Sequence, residues 1–336
     1  MSFYKIYFSL LFGLSFSFGF GQSELKKEAE DLHEILQPYF KPVVKDVVFL
    51  EKEKHTINLG KTLFYDKRLS KSKGFSCNSC HDLKKYGTNG SHYLAQKGTS
   101  FFRDVPSIYN VHTLPIYNAD GSIHSLKEKL KQSISSSHEM QMDKELLMER
   151  IGNLKGYQEL FSKAYNLSEN AISFENLIDA LVQFISGLKT PAPIDKFIQG
   201  DLSALSSAAI EGGHVFNSKS CYSCHTGSNI GGQMLQKVGI VSDWPNQKDL
   251  GYYHIDGNPM YKMFFRVSAL RNVEKTAPYF HDSSSKKLWK AIQKMGRYER
   301  GIDISVEEAL KIQLFLKTLT GEIPQEYIKE PKPVIN

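Results

Sequence analysis

The chain has few cysteines and few residues that would oppose a globular fold. Of its 336 residues, 4 are Cys, 12 are Pro and 24 are Gly, while 41% are hydrophobic and 23% are charged. So few cysteines exclude a small disulfide scaffold and leave metal binding, redox chemistry or isolated bridges. The composition also excludes disordered and collagen-like chains. This length predicts two domains with a substantial core.

Clusters of basic residues and long apolar runs are also scarce. The net charge is only +6 and the cations are scattered, so no nucleic-acid partner is predicted. The apolar run from Ile6 to Phe20 is shorter than the roughly 20 residues that a transmembrane helix needs. It follows Lys5 and ends before Gln22 in small residues, as a secretory signal peptide does. We expect a signal peptide over residues 1–21, export to the periplasm and no stable membrane insertion; an uncleaved N-terminal anchor is the alternative.

Apolar residues recur at helical spacing along most of the remaining chain. Three segments show this pattern clearly, and each ends at a helix-terminating residue. The third also begins with a capping box, in which Ser305 and Glu308 satisfy each other's backbone amides. Little alternation of period two is present, so the sequence predicts an all-α protein with long loops. The helical segments are Leu25 to Leu36, Leu177 to Leu188 and Ser305 to Leu319, and the loops are Lys84 to Phe101 and Thr226 to Asp256.

All four cysteines fall within two copies of one motif. Cys77-Asn-Ser-Cys80-His81 and Cys221-Tyr-Ser-Cys224-His225 both have the Cys-X-X-Cys-His pattern of c-type haem attachment. On one helical turn the two thiols can reach the two vinyl groups of a porphyrin, and the following His can bind its iron. Zinc, a redox dithiol and two disulfides are the alternatives. Two covalent haems are preferred, because zinc-binding pairs lie about 15–20 residues apart and a dithiol needs no adjacent His.

The segments around these motifs resemble the bacterial di-haem cytochrome c peroxidases and their relatives, the di-haem oxidases that act on a protein. The resemblance covers most of the mature chain and implies two cytochrome c-like domains, each with one covalent haem. It implies an N-terminal peroxidatic domain over 22–189 and a C-terminal electron-transfer domain over 190–336. The candidate linker is Thr190 to Leu202, because this segment contains two Pro and one Gly and separates the two motifs. The similar segments are Leu59 to Ser70, Gln96 to Gly98, Arg103 to Asn110, Phe265 to Val273 and Thr276 to His281.

The resemblance also implies roles for two residues outside the motifs. Its register brings an axial Met onto Met295, which with His225 would give the second haem a high potential; Met260 and Met263 are the alternatives. Ser137 to Met140 resembles the segment that holds a catalytic Glu. Glu139 would therefore move a proton from one oxygen of peroxide to the other beside the haem of His81.

A calcium ion between the haems is a further expectation from the resemblance. The matching ligand positions are Asp104, Thr276 and Pro278, which offer one side-chain oxygen and backbone carbonyls to a hard cation. His92 is the candidate for a distal sixth ligand of the first haem. Its place in the chain is close to that of a removable His in relatives, although the interval from the first motif is shorter here.

The chain departs from the family pattern just before Asp120. Relatives carry a Trp there, regarded as the electron bridge between the haems, and an Arg after the following Gly, whereas this chain has Ala119 and Ser122. Neither Trp244 nor Trp289 falls in that register. Tyr117 is the available substitute in the sequence, and the route between the haems stays open.

Together these features predict an exported enzyme that reduces hydrogen peroxide to water. The electron donor would be a small soluble protein, a cytochrome c or a cupredoxin, and relatives commonly form homodimers. One alternative is a di-haem oxidase of a protein or organic substrate, although in its best-known branch a Tyr replaces the axial Met. The other is a di-haem electron carrier, which would have no use for Glu139.

Overall fold

Helices form most of this chain. We describe it from a computed structural model, which covers residues 23–44, 51–90, 92–94, 102–166 and 171–335. Helix α1 spans 23–36. The others are α2 (Glu51–Tyr65), α3 (Cys77–Cys80), α4 (Leu126–Ser135), α5 (Lys144–Gly152), α6 (Lys155–Tyr165), α7 (Phe174–Ser186), α8 (Pro193–Ile198), α9 (Ser207–Ser218), α10 (Tyr253–Asp256), α11 (Leu288–Met295), α12 (Val306–Lys317) and α13 (Gln325–Ile328).

The predicted all-α architecture is confirmed as a helix-rich fold, with two small sheets added. Strand β1 (His92–Leu94) pairs antiparallel with β2 (Phe102–Asp104), and β3 (Leu235–Lys237) pairs antiparallel with β4 (Phe264–Arg266). Strands of three residues are too short to show a period-two pattern, which is why the sequence did not indicate them. No helix in the described ranges is both long and apolar enough to cross a bilayer.

The helices enclose two large apolar cores. Helices α2 and α4 to α7 supply most of the first core, and α8, α9, α11 and α12 supply most of the second. The three predicted helices are all present, and the capping box between Ser305 and Glu308 begins α12 as expected. Helix α1 packs in the second core through Leu32 and Leu36, although the sequence analysis assigned residues 22–189 to the N-terminal domain.

The segment expected to be a linker is instead part of the second core. Residues Thr190 to Leu202 include helix α8, in which Ile194 and Phe197 are almost completely buried. Pro193 is the first residue of α8, where its missing amide and fixed φ suit a helix start. The proline that suggested a linker therefore begins a packed helix.

Each core is crossed by a pair of helices that meet at a glycine. An ideal Cβ on Gly60 of α2 would lie 1.9 Å from the carbonyl oxygen of Ala180 in α7. An ideal Cβ on Gly212 of α9 would lie 2.0 Å from the carbonyl oxygen of Lys311 in α12. In both helices a Phe follows the glycine by four positions and contacts a Phe of the partner helix, with ring centroids 5.4 and 5.3 Å apart. The second core therefore repeats the packing of the first.

Two asparagines also occupy matching positions in the two halves, at the junction of the cores. Asn110 and Asn272 both adopt left-handed backbone conformations, with φ of 62° and 60°. Their amides donate to the carbonyls of Leu188 and Leu319, which follow α7 and α12. Both side-chain amides also donate to the hydroxyl of buried Thr190, at 2.8 and 2.9 Å. Thr190 thus joins the two repeated units.

Replacing Gly60 with Ala should separate α2 from α7, because the new methyl group would collide with backbone that cannot rotate away. Overpacking of this kind costs about 1–3 kcal/mol, and we expect a loss of about that size in the free energy of unfolding. Chemical denaturation of the holoprotein, followed by circular dichroism, measures it.

The matched control is Gly152→Ala at the last residue of α5, where a Cβ would meet nothing within 4 Å. It should leave stability unchanged or raise it by up to about 1 kcal/mol, since Ala favours helix over Gly. Equal losses in the two variants would contradict the close-crossing interpretation.

Candidate functional site

The first Cys-X-X-Cys-His motif forms a single helical turn. Ser76 caps α3, and the Ser79 hydroxyl accepts the Ser76 amide at 3.0 Å. The His81 amide donates to the Cys77 carbonyl at 2.9 Å, so the turn continues to the histidine. Cys77 packs against the first core, and burial raises the pKa of its thiol to about 12. Cys80 is exposed.

The second motif forms a 3₁₀ turn over Cys221–Ser223, entered through Ser220 in a left-handed conformation with φ of 56°. The His225 amide donates to the Cys221 carbonyl at 3.2 Å, as His81 does in the first motif. Burial raises the pKa of the Cys221 thiol to about 11, and the positive charge of Arg300 partly opposes this. The two motifs therefore present the same order of thiol, thiol and imidazole.

Both motif histidines turn one ring nitrogen towards backbone carbonyls. His81 Nδ1 lies 3.1 Å from the carbonyl oxygens of Gly87 and Pro106. The His225 ring faces the backbone of Ile230 and Ser268, although its buried Nδ1 makes no hydrogen bond. A carbonyl that holds Nδ1–H fixes the tautomer and leaves Nε2 to bind a metal. Burial lowers the pKa of both rings, to about 4 for His225, which favours the neutral form that a metal requires.

Gly231 lies beside both the His225 ring and the Ser268 carbonyl. Its φ is +127°, and a Cβ there would lie 2.2 Å from the Ser268 carbonyl oxygen and 3.2 Å from His225 Nδ1. Any side chain at this position would therefore push the histidine away from the carbonyl that orients it.

A deeply placed guanidinium adds a cationic group in the second half of the chain. Arg266, in β4, donates from Nε to the Asn118 carbonyl at 3.1 Å, but its Nη1 is buried without a hydrogen-bond partner. Burial lowers its pKa, and Tyr117 and Asp120 act in the opposite direction. Such an unpaired buried donor is costly unless an anion meets it. The carboxylates of a haem fit this donor, and the two thiol pairs with their adjacent imidazoles fit its covalent attachment and axial ligation.

Glu139 lies beside the first motif. Its Oε1 is 2.9 Å from Lys129 Nζ of α4, and both side chains are partly exposed. Burial alone would raise the pKa of Glu139, but Lys129, the Ser133 hydroxyl and His81 together lower it. The Glu139 charge in turn acts on Cys77, Cys80 and His81. An ionised carboxylate is therefore held within electrostatic range of the whole first motif.

Met295 ends α11 on the buried side of that helix. It follows Leu288 by seven positions, and Leu288, Ala291 and Ile292 are all buried. This spacing places Met295 on the inner face of the helix. The two alternative methionines differ in their surroundings: Met260 is 78% exposed, and Met263 packs with Trp244 and Phe265.

The residues expected to bind calcium include one unsatisfied carboxylate. Asp104 ends β2, its Oδ1 is buried without a hydrogen-bond partner, and burial raises its pKa to about 6. Such a carboxylate suits a cation ligand. Thr276 and Pro278 lie in the loop after β4, and the Ala277 carbonyl between them approaches Gly90. The side chain of His92 lies outside the described residues.

Ala119 packs against aromatic residues from the second half of the chain. The cluster that it contacts is built on Trp244, Met263 and Phe265. The Trp244 ring lies 4.7 Å from that of Phe280 and 4.9 Å from that of Tyr298, measured between centroids. Ala119 therefore borders an aromatic cluster that contains Trp244.

Sequence reasoning missed a buried ionic network near this position. Arg103 contacts Asp249 at 2.7 Å through Nε and Asp120 at 2.6 Å through Nη1, and all three side chains are less than 8% exposed. Asp249 belongs to the long loop of the second half, 146 positions away, and no local pattern marks so distant a pairing. Lys129 was also missed, since a lysine on an amphipathic helix usually only faces solvent.

Comparisons with known proteins agree with these features. The profile of the di-haem cytochrome c peroxidases matches residues 54–203. A cytochrome c551 peroxidase of Nitrosomonas europaea is 35% identical over 269 residues, which cover 79% of this chain and 80% of that protein. The cytochrome c551 peroxidase of Pseudomonas aeruginosa is 31% identical and covers 89% of both chains. The methylamine utilization protein MauG of Methylophilus methylotrophus is 32% identical, covering 68% of this chain and 69% of that protein.

A solved structure shares the fold. A MauG-like protein associated with microbial copper homeostasis superposes with a TM-score of 0.72 at 23% identity, over 87% of this chain and 96% of that one.

Replacing Lys129 with Met should raise the pKa of Glu139, because the nearest positive charge is lost while burial remains. With Lys129 present, the ionised carboxylate stabilises the fold above its usual pKa, and this contribution disappears as the pH falls through the lowered value. In the variant the pKa of Glu139 is higher, so this stabilising contribution should disappear at a higher pH. Infrared titration of the protonated carboxyl band that Glu139→Gln removes would measure the shift.

Lys131→Met is the matched control on the same helix, since Lys131 pairs with exposed Glu175 at 2.6 Å. It should leave the titration of Glu139 unchanged, and Lys129→Arg should largely preserve it. An unchanged Glu139 titration in Lys129→Met would contradict the role of this ion pair.

Proposed function

Because this chain belongs to the di-haem cytochrome c peroxidase family, we propose that its two motifs hold two covalent c-type haems in two cytochrome c-like domains. Its activity is the reduction of hydrogen peroxide to water with electrons from a redox protein. The donor that we propose is a small soluble cytochrome c or cupredoxin. Peroxide would react at the motif of His81, and electrons would enter at the motif of His225.

The observation that carries this division is the carboxylate of Glu139 beside the first motif. The haem iron, when bound, supplies the electrons that break the O–O bond. Breaking that bond to give water also requires a proton to pass from one peroxide oxygen to the other. Glu139 can accept it and return it, because Lys129 holds the carboxylate in its ionised form.

Other residues of the chain support the binding of the two haems. We propose that Cys77 and Cys80 attach the first, and that Cys221 and Cys224 attach the second. His81 would use Nε2 as the proximal ligand, since its Nδ1 faces two carbonyls, and we propose the same ligand atom for His225. Met295, on the inner face of α11, would be the second ligand opposite His225. Arg266 would pair with a haem carboxylate, which would satisfy its buried Nη1.

Calcium binding and export complete the proposal. The buried unpaired oxygen of Asp104 supports a calcium ion there, with the carbonyls of Thr276 and Pro278 as further ligands. Export to the periplasm rests on the apolar leader over residues 1–21, which lies outside the described residues. A homodimer also remains a proposal from the relatives.

A di-haem oxidase of a protein substrate is the second candidate. The similarity to MauG and the Ala119 position favour it, whereas Met295 favours the peroxidase. Spectroscopy of the ferric protein distinguishes them, since methionine ligation at one haem is expected for the peroxidase.

Replacing Glu139 with Gln should lower peroxide turnover by roughly 10²–10⁴-fold, the usual contribution of a general acid–base group. Both haem spectra should be retained, because the variant keeps the size and most hydrogen bonds of the side chain. Turnover with a reduced donor, before and after partial reduction of the enzyme, measures the effect. Glu149→Gln, on the exposed side of α5, is the control, and equal turnover in the two variants would remove Glu139 from the mechanism.

Replacing Met295 with His should lower the reduction potential of one haem, because imidazole stabilises ferric iron better than a thioether does. A spectroelectrochemical titration should show that shift at a single haem. Met260→His at a 78% exposed position is the control and should leave both potentials unchanged. If the two variants titrate alike, Met295 is not an iron ligand.

A further inference from the structure

A stripe of positive charge covers the outer side of α11 and the π-helical turn Gly296–Arg300 that follows it. Residues 286–300 contain six basic side chains and one acidic side chain. Five of the six follow one another at intervals of three or four positions, which places them on one side of the helix. The opposite side, with Leu288, Ala291 and Ile292, is buried in the second core. This basic stripe consists of Lys286, Lys287, Lys290, Lys294, Arg297 and Arg300.

Neighbouring carboxylates do not cancel this charge. Glu299 turns inward, where its Oε1 accepts the Gly239 amide at 2.8 Å and burial raises its pKa. Asp303 pairs with Arg297 at 3.3 Å, but the two side chains are 88% and 67% exposed, and such pairs bind weakly. Lys294 Nζ donates to the Ser284 carbonyl at 2.9 Å and has no carboxylate partner among the ion pairs of the described residues.

An exposed apolar turn lies next to the basic stripe. Ile240 and Val241 are 46% and 57% exposed. The Val241 amide donates to the Tyr298 carbonyl at 3.0 Å, and a Cβ on Gly301 would meet Val241 at 2.8 Å. These contacts hold the two apolar side chains against the π-helical turn. The surface therefore combines two exposed apolar side chains with a neighbouring row of cations.

This surface lies over the second motif. The helix that carries the stripe ends at Met295, and the positive charge of Arg300 reaches the Cys221 thiol. A protein that docks on the stripe would therefore be held near the haem at which electrons are proposed to enter.

We propose that the basic stripe, with Ile240 and Val241, is the docking surface for the electron donor, and that this donor presents acidic groups around an apolar contact. The inference rests on the proposed entry of electrons at the second motif. Transient redox complexes bury little area, and complementary charge raises the rate of encounter. An anionic membrane fits less well, because α11 has eight residues and its apolar face is already buried.

The test measures reduction of the ferric holoprotein by stopped flow, without peroxide, using an acidic and a basic soluble cytochrome c as reduced donors. The acidic donor should react faster at low ionic strength, and added salt should slow it. The variant Lys287→Glu/Lys290→Glu/Arg297→Glu should lower its second-order rate constant by about tenfold or more, within the range that steering supplies. It should also reverse the direction of the salt effect.

The matched control is Lys67→Glu/Lys155→Glu/Lys163→Glu. It makes the same charge change at three exposed positions on the segments that surround the first core. It should alter the rate constant less than twofold. Equal effects of the two triple variants, or a faster reaction with the basic donor, would overturn the proposal. The proposal would also be overturned if the wild-type protein sediments with anionic phospholipid vesicles and the stripe variant does not, while both react with the donor at the same rate.

A separate assay with an uncharged small reductant and peroxide keeps this test apart from the proposed function. If peroxide is turned over in that assay but the stripe variant reacts with the protein donor as fast as the wild type does, only the docking surface is refuted. If the stripe variant reacts more slowly with the protein donor but no peroxide is turned over, the peroxidase activity is refuted and the docking surface is retained.

Discussion

The close crossing of two helices at a glycine is the constraint on which each half of this fold depends. Gly60 lets α2 approach the backbone of α7, and Gly212 lets α9 approach that of α12. The carbonyl of Leu188, just after α7, accepts the amide of Asn110. The carbonyl of Leu319, just after α12, accepts the amide of Asn272. Four residues before each asparagine lies the carbonyl that the motif histidine faces. The orientation of each imidazole therefore follows from how closely two helices pack some distance away.

Thr190 joins the two repeated units through hydrogen bonds. Its single hydroxyl accepts amides from Asn110 and Asn272, one from each unit, and its own amide donates to Asn110. These groups are buried, so a broken bond would leave a polar atom without water to replace its partner. The relative position of the two imidazoles is thus tied to a few well-formed hydrogen bonds, and the Arg103 network adds a second link of the same kind.

Local signals predicted the parts of the structure that depend on neighbouring residues. Residue spacing alone predicted the two motifs, helix α12 with its Ser305 cap, and the helical segments Leu25 to Leu36 and Leu177 to Leu188. The role of Thr190 was not, since prolines nearby suggested a linker and its partners are 80 and 82 positions away. The repeat of Gly and Phe four positions apart was present in the sequence, but two residues at that spacing carry meaning only once their helix partners are known.

The two motifs differ in where charge is placed, and this difference supports the separate tasks that we propose for them. At the first, Lys129 holds Glu139 ionised within electrostatic range of the imidazole, so the carboxylate is available to accept a proton. At the second, Arg266 is buried, while the cations of α11 lie on the outer side of that helix, where we propose that they meet a partner. Proton transfer needs a carboxylate held at contact distance, whereas electron entry needs only proximity and attraction at longer range. Under this proposal the same folded unit serves both tasks, because the residues that distinguish them lie outside the contacts that the two halves share.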